Sequence, residues 1–207
     1  MSVKSEQNLT SKFYAYLSRL RWIKRWGLMR NAVEENVMEH SWEVAVIAHL
    51  LATIRNRHFE GDLDASAIAT AALFHDASEV LTGDMPTPVK YYSSNLTGAY
   101  RQIESVARQE LLALLPEVLR SDYRIMLDDE RWPQGQRQIV KAADTLSAYL
   151  KCLTELRAGN AEFEAAARQL EIKLHQAALP EVDYFLRVFV PDCALPLDSL
   201  LRQAAVD

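Results

Sequence analysis

His75 and Asp76 stand side by side at the end of an apolar run, residues 65–74. The length of that run and its content of alanine and leucine predict a buried helix. An imidazole and a carboxylate in an apolar wall are costly to desolvate unless something pairs with them, and a divalent cation would pair with both. The sequence therefore predicts a metal site within a helical fold.

Glu79 extends this pair, because it lies four residues after His75 and three after Asp76. A helix that continued for one more turn would bring the three side chains together at its last exposed edge. Residues 83–88 contain one glycine and two prolines, which end a helix and predict a stiff polar loop. We therefore expect a metal site covered by a substrate loop.

Chain length and composition limit the classes of function. A chain of 207 residues fits one domain, and its two cysteines are too few for a disulfide framework and fit a reducing cytosol. A net charge of −5 argues against a nucleic-acid polymer as the partner. The longest apolar run, residues 44–54, is too short to span a bilayer, and we find no signal-peptide pattern. We expect a cytoplasmic protein without a membrane partner.

Helical periodicity accounts for most of the chain. No stretch alternates like a β-strand, and no glycine-rich phosphate loop or internal repeat occurs. Residues 1–8 are polar and are expected to be loose, so the predicted fold is all-α, a single helical domain over residues 9–207. Apart from the run at 65–74, the predicted helices span residues 9–23, 39–56, 103–115, 136–157, 163–179 and 182–190.

One further histidine has a position suited to a metal ligand. His40 lies in the first turn of the helix predicted from residue 39. It shares one side of that helix with the apolar residues Val44, Ile47 and Leu51, whereas His49 is about half a turn away and is expected at the surface. A lone helical histidine is more often hydrogen-bonded than metallated. His40 is favoured as a ligand because the His-Asp pair needs partners.

The roles of Arg25 and Asp144 stay open at this level. Arg25 belongs to a cation-rich helix end, which is either a solvated face or the source of a phosphate clamp, since guanidinium matches phosphate oxygens bidentately. Asp144 lies off the core stripe of its predicted helix. It is either a surface acid paired with Lys141 or a metal ligand.

The order of His40, the His75-Asp76 pair and Asp144, each on a helix of an all-α domain, resembles the HD superfamily of metal-dependent phosphohydrolases. The surrounding strings look like the bacterial 5′-deoxynucleotidases of that superfamily, the YfbR type. These strings are RW at residues 25–26, ENVMEHS at 35–41, HDASEVLTGD at 75–84, PTPVKY at 86–91 and KAAD at 141–144. The resemblance covers the chain from Phe13 to Pro191.

The resemblance implies a helical HD-domain bundle that hydrolyses deoxyribonucleoside 5′-monophosphates and assembles as a homodimer. It implies that Arg25 orients the phosphate, and that Trp26 and the loop at 84–87 hold the sugar and exclude a 2′-hydroxyl. The implied metal ligands are His40, His75, Asp76 and Asp144. The implied substrate contacts are Arg25, Trp26, Asp76, Asp84, Met85, Pro86, Thr87 and Asp144. Gly27 departs from the family pattern, where proline is expected, and would loosen the turn that carries Arg25.

Two imidazoles and two carboxylates suit one divalent transition metal, such as Co²⁺, Mn²⁺, Fe²⁺, Ni²⁺ or Zn²⁺, better than Mg²⁺. Such an ion would acidify water for attack on the 5′-phosphorus. Glu79 would then either transfer a proton or fix the ring of His75 by a hydrogen bond, and both roles stay open. The alternatives are another HD phosphohydrolase, acting on triphosphates or cyclic nucleotides, and a nucleotide-sensing module without turnover.

Overall fold

A computed structural model describes the backbone of residues 10–203 and the side chains of residues 10–201. The N-terminal segment predicted to be loose and the predicted helix start at Leu9 lie outside the described residues. Lys12 is the N-cap residue of the first helix, and the Oγ of the preceding Ser11 accepts the Phe13 N–H at 3.2 Å. The same hydroxyl donates to the carbonyl of Leu114 at 2.7 Å, so it also ties the helix to a distant segment.

The described chain is helical, as predicted. Its one pairing of extended backbone is an isolated antiparallel bridge between Lys24 and Asn36. Within residues 10–203, no helix has both the length and the apolarity needed to cross a bilayer. The α-helices are α1 (Phe13–Leu17), α2 (Val37–His58), α3 (Ala65–Leu73), α4 (Glu79–Thr82), α5 (Thr87–Lys90), α6 (Ser94–Ala113), α7 (Glu117–Leu127), α8 (Gln134–Arg157), α9 (Glu164–Gln176), α10 (Pro180–Val188) and α11 (Leu197–Gln203). Short 3₁₀ helices lie at Ser18–Trp22, Asp129–Arg131, Ala161–Phe163 and Pro191–Ala194.

Helix α7 was not predicted, although its apolar and polar residues separate to opposite faces of the helix. Leu127 is the buried residue of this helix, whereas Val118, Leu119 and Ile125 are exposed. The short helix α4 lies just before the predicted polar loop, and α5 begins inside that loop at Thr87 and continues beyond it.

The described residues cluster into two compact units made of interleaved segments. The first unit comprises residues 10–30, 34–42 and 70–133. Its core is a cluster of Phe13, Ala77, Leu111, Leu115 and Leu127. Tyr123 packs edge-on against Phe13, with ring centroids 5.1 Å apart.

The second unit comprises residues 31–33, 43–69 and 134–203. Val44, Ile47 and Leu51 are all buried here, which confirms the apolar stripe predicted for α2. Helix α8 also buries Ile139 and Leu146, while Leu150 and Leu153 are only half-buried. The sequence predicts Ile139, Leu146, Leu150 and Leu153 as the core stripe of this helix, and the structure buries the first two of them.

A buried polar cluster in the second unit centres on Glu155, whose side chain is fully buried. Its carboxylate accepts hydrogen bonds from the backbone N–H groups of Ala32 and Val33 at 2.8 and 3.0 Å, from the Asn160 amide at 2.8 Å and from the Lys151 ammonium. Burial alone raises the pKa of Glu155, but these four donors outweigh it and lower that pKa to about 2. The carboxylate therefore stays charged and anchors residues 32 and 33 to α8.

Candidate metal and phosphate site

Helix α2 positions His40 in its first turn. Asn36 caps the helix, because its Oδ1 accepts the backbone N–H groups of Met38 and Glu39 at 3.0 and 3.1 Å. Glu39 reaches back to the Asn36 N–H at 3.3 Å, which completes a capping box. The helix therefore begins at Val37, two residues before the predicted start, and His40 is fully buried.

His75 and Asp76 lie just after α3, which ends at Leu73. The expectation that this helix continues through Glu79 is wrong. Backbone bonds from Phe74 N–H to the Ala71 carbonyl and from Glu79 N–H to the Asp76 carbonyl span three residues, so the chain passes through tight turns before α4. These turns, rather than one helix edge, set the directions of the side chains.

The tautomer of His75 follows from its hydrogen bond. Its Nδ1 lies 2.7 Å from the carbonyl oxygen of Ala72, which can only accept, so Nδ1 carries the proton. In the neutral ring, Nε2 then has a free lone pair. The structure places this Nε2 3.1 Å from Oδ2 of Asp76.

His40, His75 and Asp76 form a compact set of donor atoms. One ligand atom from each lies within 4.8 Å of the others. The His40 Nε2 is 3.5 Å from Asp76 Oδ2, and the two imidazole rings have centroids 5.2 Å apart. Two imidazole nitrogens and one carboxylate oxygen at these separations fit a borderline divalent cation, which prefers this mixture of donors.

The pKa values of the Asp76 and Glu79 carboxyl groups are shifted in opposite directions. Burial raises the pKa of Asp76, but the neighbouring His75 and His40 outweigh it and hold that pKa well below its ordinary value. Glu79 is 8% exposed, and no hydrogen-bond donor among the described residues reaches its Oε2. Burial, reinforced by Asp76 and Asp84, raises the pKa of Glu79 to about 10. A cation at the donor cluster would oppose this rise, because it stabilises the carboxylate.

Arg25 and Trp26 lie beside this cluster and share one partner. The Arg25 Nε and the Trp26 Nε1 each donate to Oε2 of Glu35 at 3.0 Å. The Arg25 Nη1 also lies 3.7 Å from Asp76 Oδ2. The guanidinium therefore reaches from Glu35 to a predicted metal ligand, which is a position suited to a phosphate bound there.

The predicted substrate loop lies on the same unit. Met85 and Pro86 are half-buried, and Thr87 is exposed at the start of α5. Burial raises the pKa of Asp84, which the Arg25 charge and a hydrogen bond from the Trp26 backbone N–H partly offset. Asp84 therefore connects the loop to the segment that carries Arg25.

A second polar network supports the loop. The Tyr100 hydroxyl lies 3.3 Å from Thr82 Oγ1 and 3.4 Å from the carbonyl oxygen of Gly83, where φ is 72°. The Lys90 ammonium donates to Glu104 at 2.8 Å and lies 4.6 Å from the Tyr100 ring centroid. Sequence analysis missed this network and Glu35, because each depends on contacts between distant segments.

Asp144 lies half-buried on α8 of the second unit, so its role as a ligand stays a prediction. His49 is exposed, as expected for a residue without a metal role. Of the predicted ligands, the structure brings His40, His75 and Asp76 together. It also places Arg25, Trp26, Glu79 and Asp84 within the same unit.

Comparison with solved structures defines the class of fold. An HD-domain phosphohydrolase from Listeria innocua matches with a TM-score of 0.77 and 24% identity, over 93% of this chain and 96% of that one. The HD phosphohydrolase DatZ of cyanophage S-2L, solved with dA and one catalytic Zn²⁺, matches with a TM-score of 0.65 and 18% identity, over 93% of this chain and 99% of that one. The fold is that of the HD-domain phosphohydrolases.

Sequence comparison narrows this class to one family. The family model described as 5′-deoxynucleotidase YfbR-like matches residues 12–193. A 5′-deoxynucleotidase of Pectobacterium atrosepticum is 55% identical over 94% of this chain and 98% of its own length. One from Cronobacter sakazakii is 52% identical with the same two coverages. The chain belongs to the YfbR-like 5′-deoxynucleotidase family.

Proposed function

We propose that this protein hydrolyses deoxyribonucleoside 5′-monophosphates to deoxynucleosides and phosphate, using one divalent transition metal such as Co²⁺ or Mn²⁺. The observation that carries the proposal is the donor cluster of His40, His75 and Asp76 with the Arg25 guanidinium beside it. Membership of the 5′-deoxynucleotidase family supports the same reaction and the same substrate class.

The proposed metal ligands are His40, His75, Asp76 and Asp144. When bound, a divalent ion supplies a Lewis acid that lowers the pKa of water and neutralises phosphate charge. His75 is already oriented for this role, because the Ala72 carbonyl holds its proton on Nδ1. Asp76 is charged at neutral pH, so it needs no proton loss before binding a cation.

Arg25 is proposed to bind non-bridging phosphate oxygens. A guanidinium donates two parallel hydrogen bonds to a phosphate and neutralises charge that grows during phosphoryl transfer. The Nε of Arg25 donates to Glu35, while its Nη1 lies 3.7 Å from Asp76 Oδ2 in the donor cluster.

Glu79 is proposed as the proton-transfer group. Attack of water on phosphorus forms a new P–O bond and breaks the bond to the 5′-oxygen, which then needs a proton. Burial raises the pKa of Glu79 in the metal-free protein and a bound cation opposes this rise, and a carboxyl balanced in this way can hold a proton and donate it to the departing alkoxide. The alternative, in which Glu79 only orients His75, predicts a lower metal content with an unchanged kcat per bound metal.

Trp26 and the loop residues Asp84, Met85, Pro86 and Thr87 are proposed to bind the sugar. If these side chains pack closely against C2′ of the sugar, the 2′-hydroxyl of a ribonucleotide is buried without a hydrogen-bond partner, which costs ~1–3 kcal/mol. The base would then contribute little to selection. DatZ supports a deoxynucleoside ligand for this fold, since that protein was solved with dA bound.

A phosphate-release panel tests the proposal. The protein is stripped with a chelator, and each divalent metal is restored with ribo- and deoxynucleoside mono-, di- and triphosphates and cyclic nucleotides as substrates. We expect release from the deoxynucleoside monophosphates only. Equal kcat/KM for AMP and dAMP would remove the sugar selectivity, release from triphosphates would favour the other HD reaction, and no release would leave a nucleotide-sensing module.

A homodimer in a reducing cytoplasm is also proposed, without a nucleic-acid polymer as partner. The family resemblance supports the dimer. The two free cysteines, Cys152 and Cys193, support a reducing compartment, and the acidic composition argues against a nucleic-acid polymer as partner. Sedimentation equilibrium checks the assembly, and a monomer at micromolar concentration would contradict it.

A further inference from the structure

We propose that Glu35 is a positioning residue that couples phosphate binding to sugar selection by holding Arg25 and Trp26 on one carboxylate oxygen. This inference rests on the proposed function, because it assigns Glu35 to the residues that would contact phosphate and sugar. Glu35 is a member neither of the predicted ligand set nor of the predicted substrate contacts.

The hydrogen bonds to Glu35 carry the inference. The Nε of Arg25 and the Nε1 of Trp26 each donate to its Oε2 at 3.0 Å. The side chains of Arg25 and Glu35 are each only 12% exposed, so water competes little for these bonds. Because one atom accepts both bonds, a change at Glu35 affects the phosphate contact and the sugar wall together.

The backbone holds Glu35 opposite Arg25 independently of its side chain. The Arg25 N–H donates to the Glu35 carbonyl at 3.0 Å, and the Val37 N–H donates to the Ile23 carbonyl at 3.0 Å. The bridge between Lys24 and Asn36 lies between these two bonds. Removing the Glu35 carboxylate should therefore leave this pairing, and the start of α2, in place.

Trp26 depends on Glu35 for the orientation of its indole. Its backbone has a φ of 59°, a left-handed conformation that costs energy for a residue with a bulky side chain. Its backbone N–H is held by Asp84, and its indole N–H is held by Glu35. Loss of the second bond would free the ring to turn while the backbone stays tied to the loop.

Arg25 depends on Glu35 for its charge balance. Its Nη1 lies 3.7 Å from Asp76 Oδ2, a predicted metal ligand. The Glu35 carboxylate attracts the same guanidinium, with its Oε2 3.0 Å from Arg25 Nε. Without that attraction, the guanidinium should move toward Asp76 and lie less favourably for a phosphate.

The test compares Glu35→Gln and Glu35→Ala with the matched control Glu34→Gln. Glu34 is the neighbouring acid, and it pairs with the exposed Lys24 instead. For Glu35→Ala we expect KM for dAMP to rise about 10-fold and the dAMP to AMP ratio of kcat/KM to fall about 10-fold. Metal content should not change. Glu35→Gln should fall between the parent and Glu35→Ala, and Glu34→Gln should match the parent.

The selectivity ratio separates positioning from a merely structural role. Partial unfolding would lower the rates for dAMP and AMP equally and leave the ratio unchanged, and that outcome would overturn the inference. A parent-like KM and ratio for Glu35→Ala would overturn it as well.

A double-mutant comparison isolates the Trp26 contact. Trp26→Phe keeps an aromatic ring but lacks the N–H that Glu35 accepts. In this background, Glu35→Ala should leave the ratio unchanged while KM still rises through Arg25. The same fall of the ratio in both backgrounds would show that Glu35 does not act through Trp26, and would overturn the coupling.

Calorimetric binding of dAMP to the metal-loaded protein distinguishes this inference from the proposed function. If the parent releases no phosphate from any nucleotide, the proposed hydrolysis fails. Weaker binding of dAMP by Glu35→Ala than by Glu34→Gln would still support Glu35, and equal binding would overturn its role.

Discussion

Glu79 in the first unit and Glu155 in the second are both buried glutamates, but different groups surround their carboxyls. Glu155 is surrounded by donors, which keep it charged and lower its pKa to about 2. Glu79 has two carboxyl groups, of Asp76 and Asp84, among its electrostatic neighbours, and its pKa rises to about 10. Burial raises the pKa of both residues, so the neighbours decide the difference.

The comparison shows how a buried carboxyl can be assigned a role. A satisfied carboxylate lowers the free energy of the folded state, whereas a poorly satisfied one raises it and persists only when something else requires it. Glu155 anchors backbone at residues 32 and 33. Glu79 lies beside the donor cluster for a cation, so the free-energy cost of burying its carboxyl is explained by a role in the reaction.

The largest expected effect is on turnover. Glu79→Gln should lower kcat by about 10²–10⁴-fold, because an amide cannot transfer the proton, and metal content should stay constant. Phosphate release and metal analysis on the same sample measure both. Glu155→Gln should keep the kcat of the folded protein. A lower metal content in Glu79→Gln, with a parent-like kcat per bound metal, would reassign Glu79 to the support of His75.

The free energy of unfolding should show the opposite contrast, with the loss in the Glu155 variant. Glu155→Gln leaves the Lys151 ammonium buried beside a neutral amide, so the free energy of unfolding should fall by ~3–5 kcal/mol. Urea denaturation at pH 7 measures this change. Glu162→Gln, at an exposed position close by, is the control and should stay within ~0.5 kcal/mol of the parent. Parent-like stability of Glu155→Gln would contradict the anchor.

Stabilisation by added metal should depend on the predicted ligands and not on Glu155. Restoring a saturating divalent metal at 100 times its Kd should stabilise the chelated protein by ~2.7 kcal/mol. The gain should vanish in His75→Ala and in Asp144→Asn, and persist in Glu155→Gln and in the exposed control His49→Ala. Thermal unfolding with and without metal measures it. A full gain in Asp144→Asn would remove Asp144 from the ligand set.

The pH dependence of stability should have opposite signs for the two glutamates. The pKa of Glu155 is about 2 in the folded state, against about 4.3 unfolded, so its contribution is full above pH ~5 and lost as pH falls toward 2. The pKa of Glu79 is raised, so its ionisation opposes folding increasingly as pH rises above ~4.3.

In the chelated protein at pH 8, Glu79→Gln should therefore be more stable than the parent by at least ~1 kcal/mol. The difference in stability between Glu79→Gln and the parent should disappear below pH ~4. The deficit of Glu155→Gln should instead shrink between pH 5 and 2. Denaturation at several pH values measures both differences. A Glu79→Gln variant that is less stable than the parent at pH 8 would contradict the raised pKa.

Periodicity in the sequence predicted the all-α fold and the buried stripe of α2 with His40 at its head, because the side that faces a core repeats every three to four residues. The chain order of His40, His75 and Asp76 also predicted the donor cluster, since these residue types share one chemical use. The start of α2 was predicted two residues too late, although the capping box of Asn36 and Glu39 is a local signal.

The tertiary structure alone decided the turns after Leu73, the hold of Glu35 on Arg25 and Trp26, and the contrast between Glu79 and Glu155. Lys151 and Asn160 lie within five residues of Glu155, and Asp76 and Asp84 lie within five residues of Glu79, but the sequence does not show that these groups reach the two carboxyls or that both glutamates are buried. Burial and hydrogen bonding depend on segments far along the chain, such as residues 32 and 33 for Glu155. The pKa of a buried carboxyl is therefore a property of the folded surroundings, which local sequence does not contain.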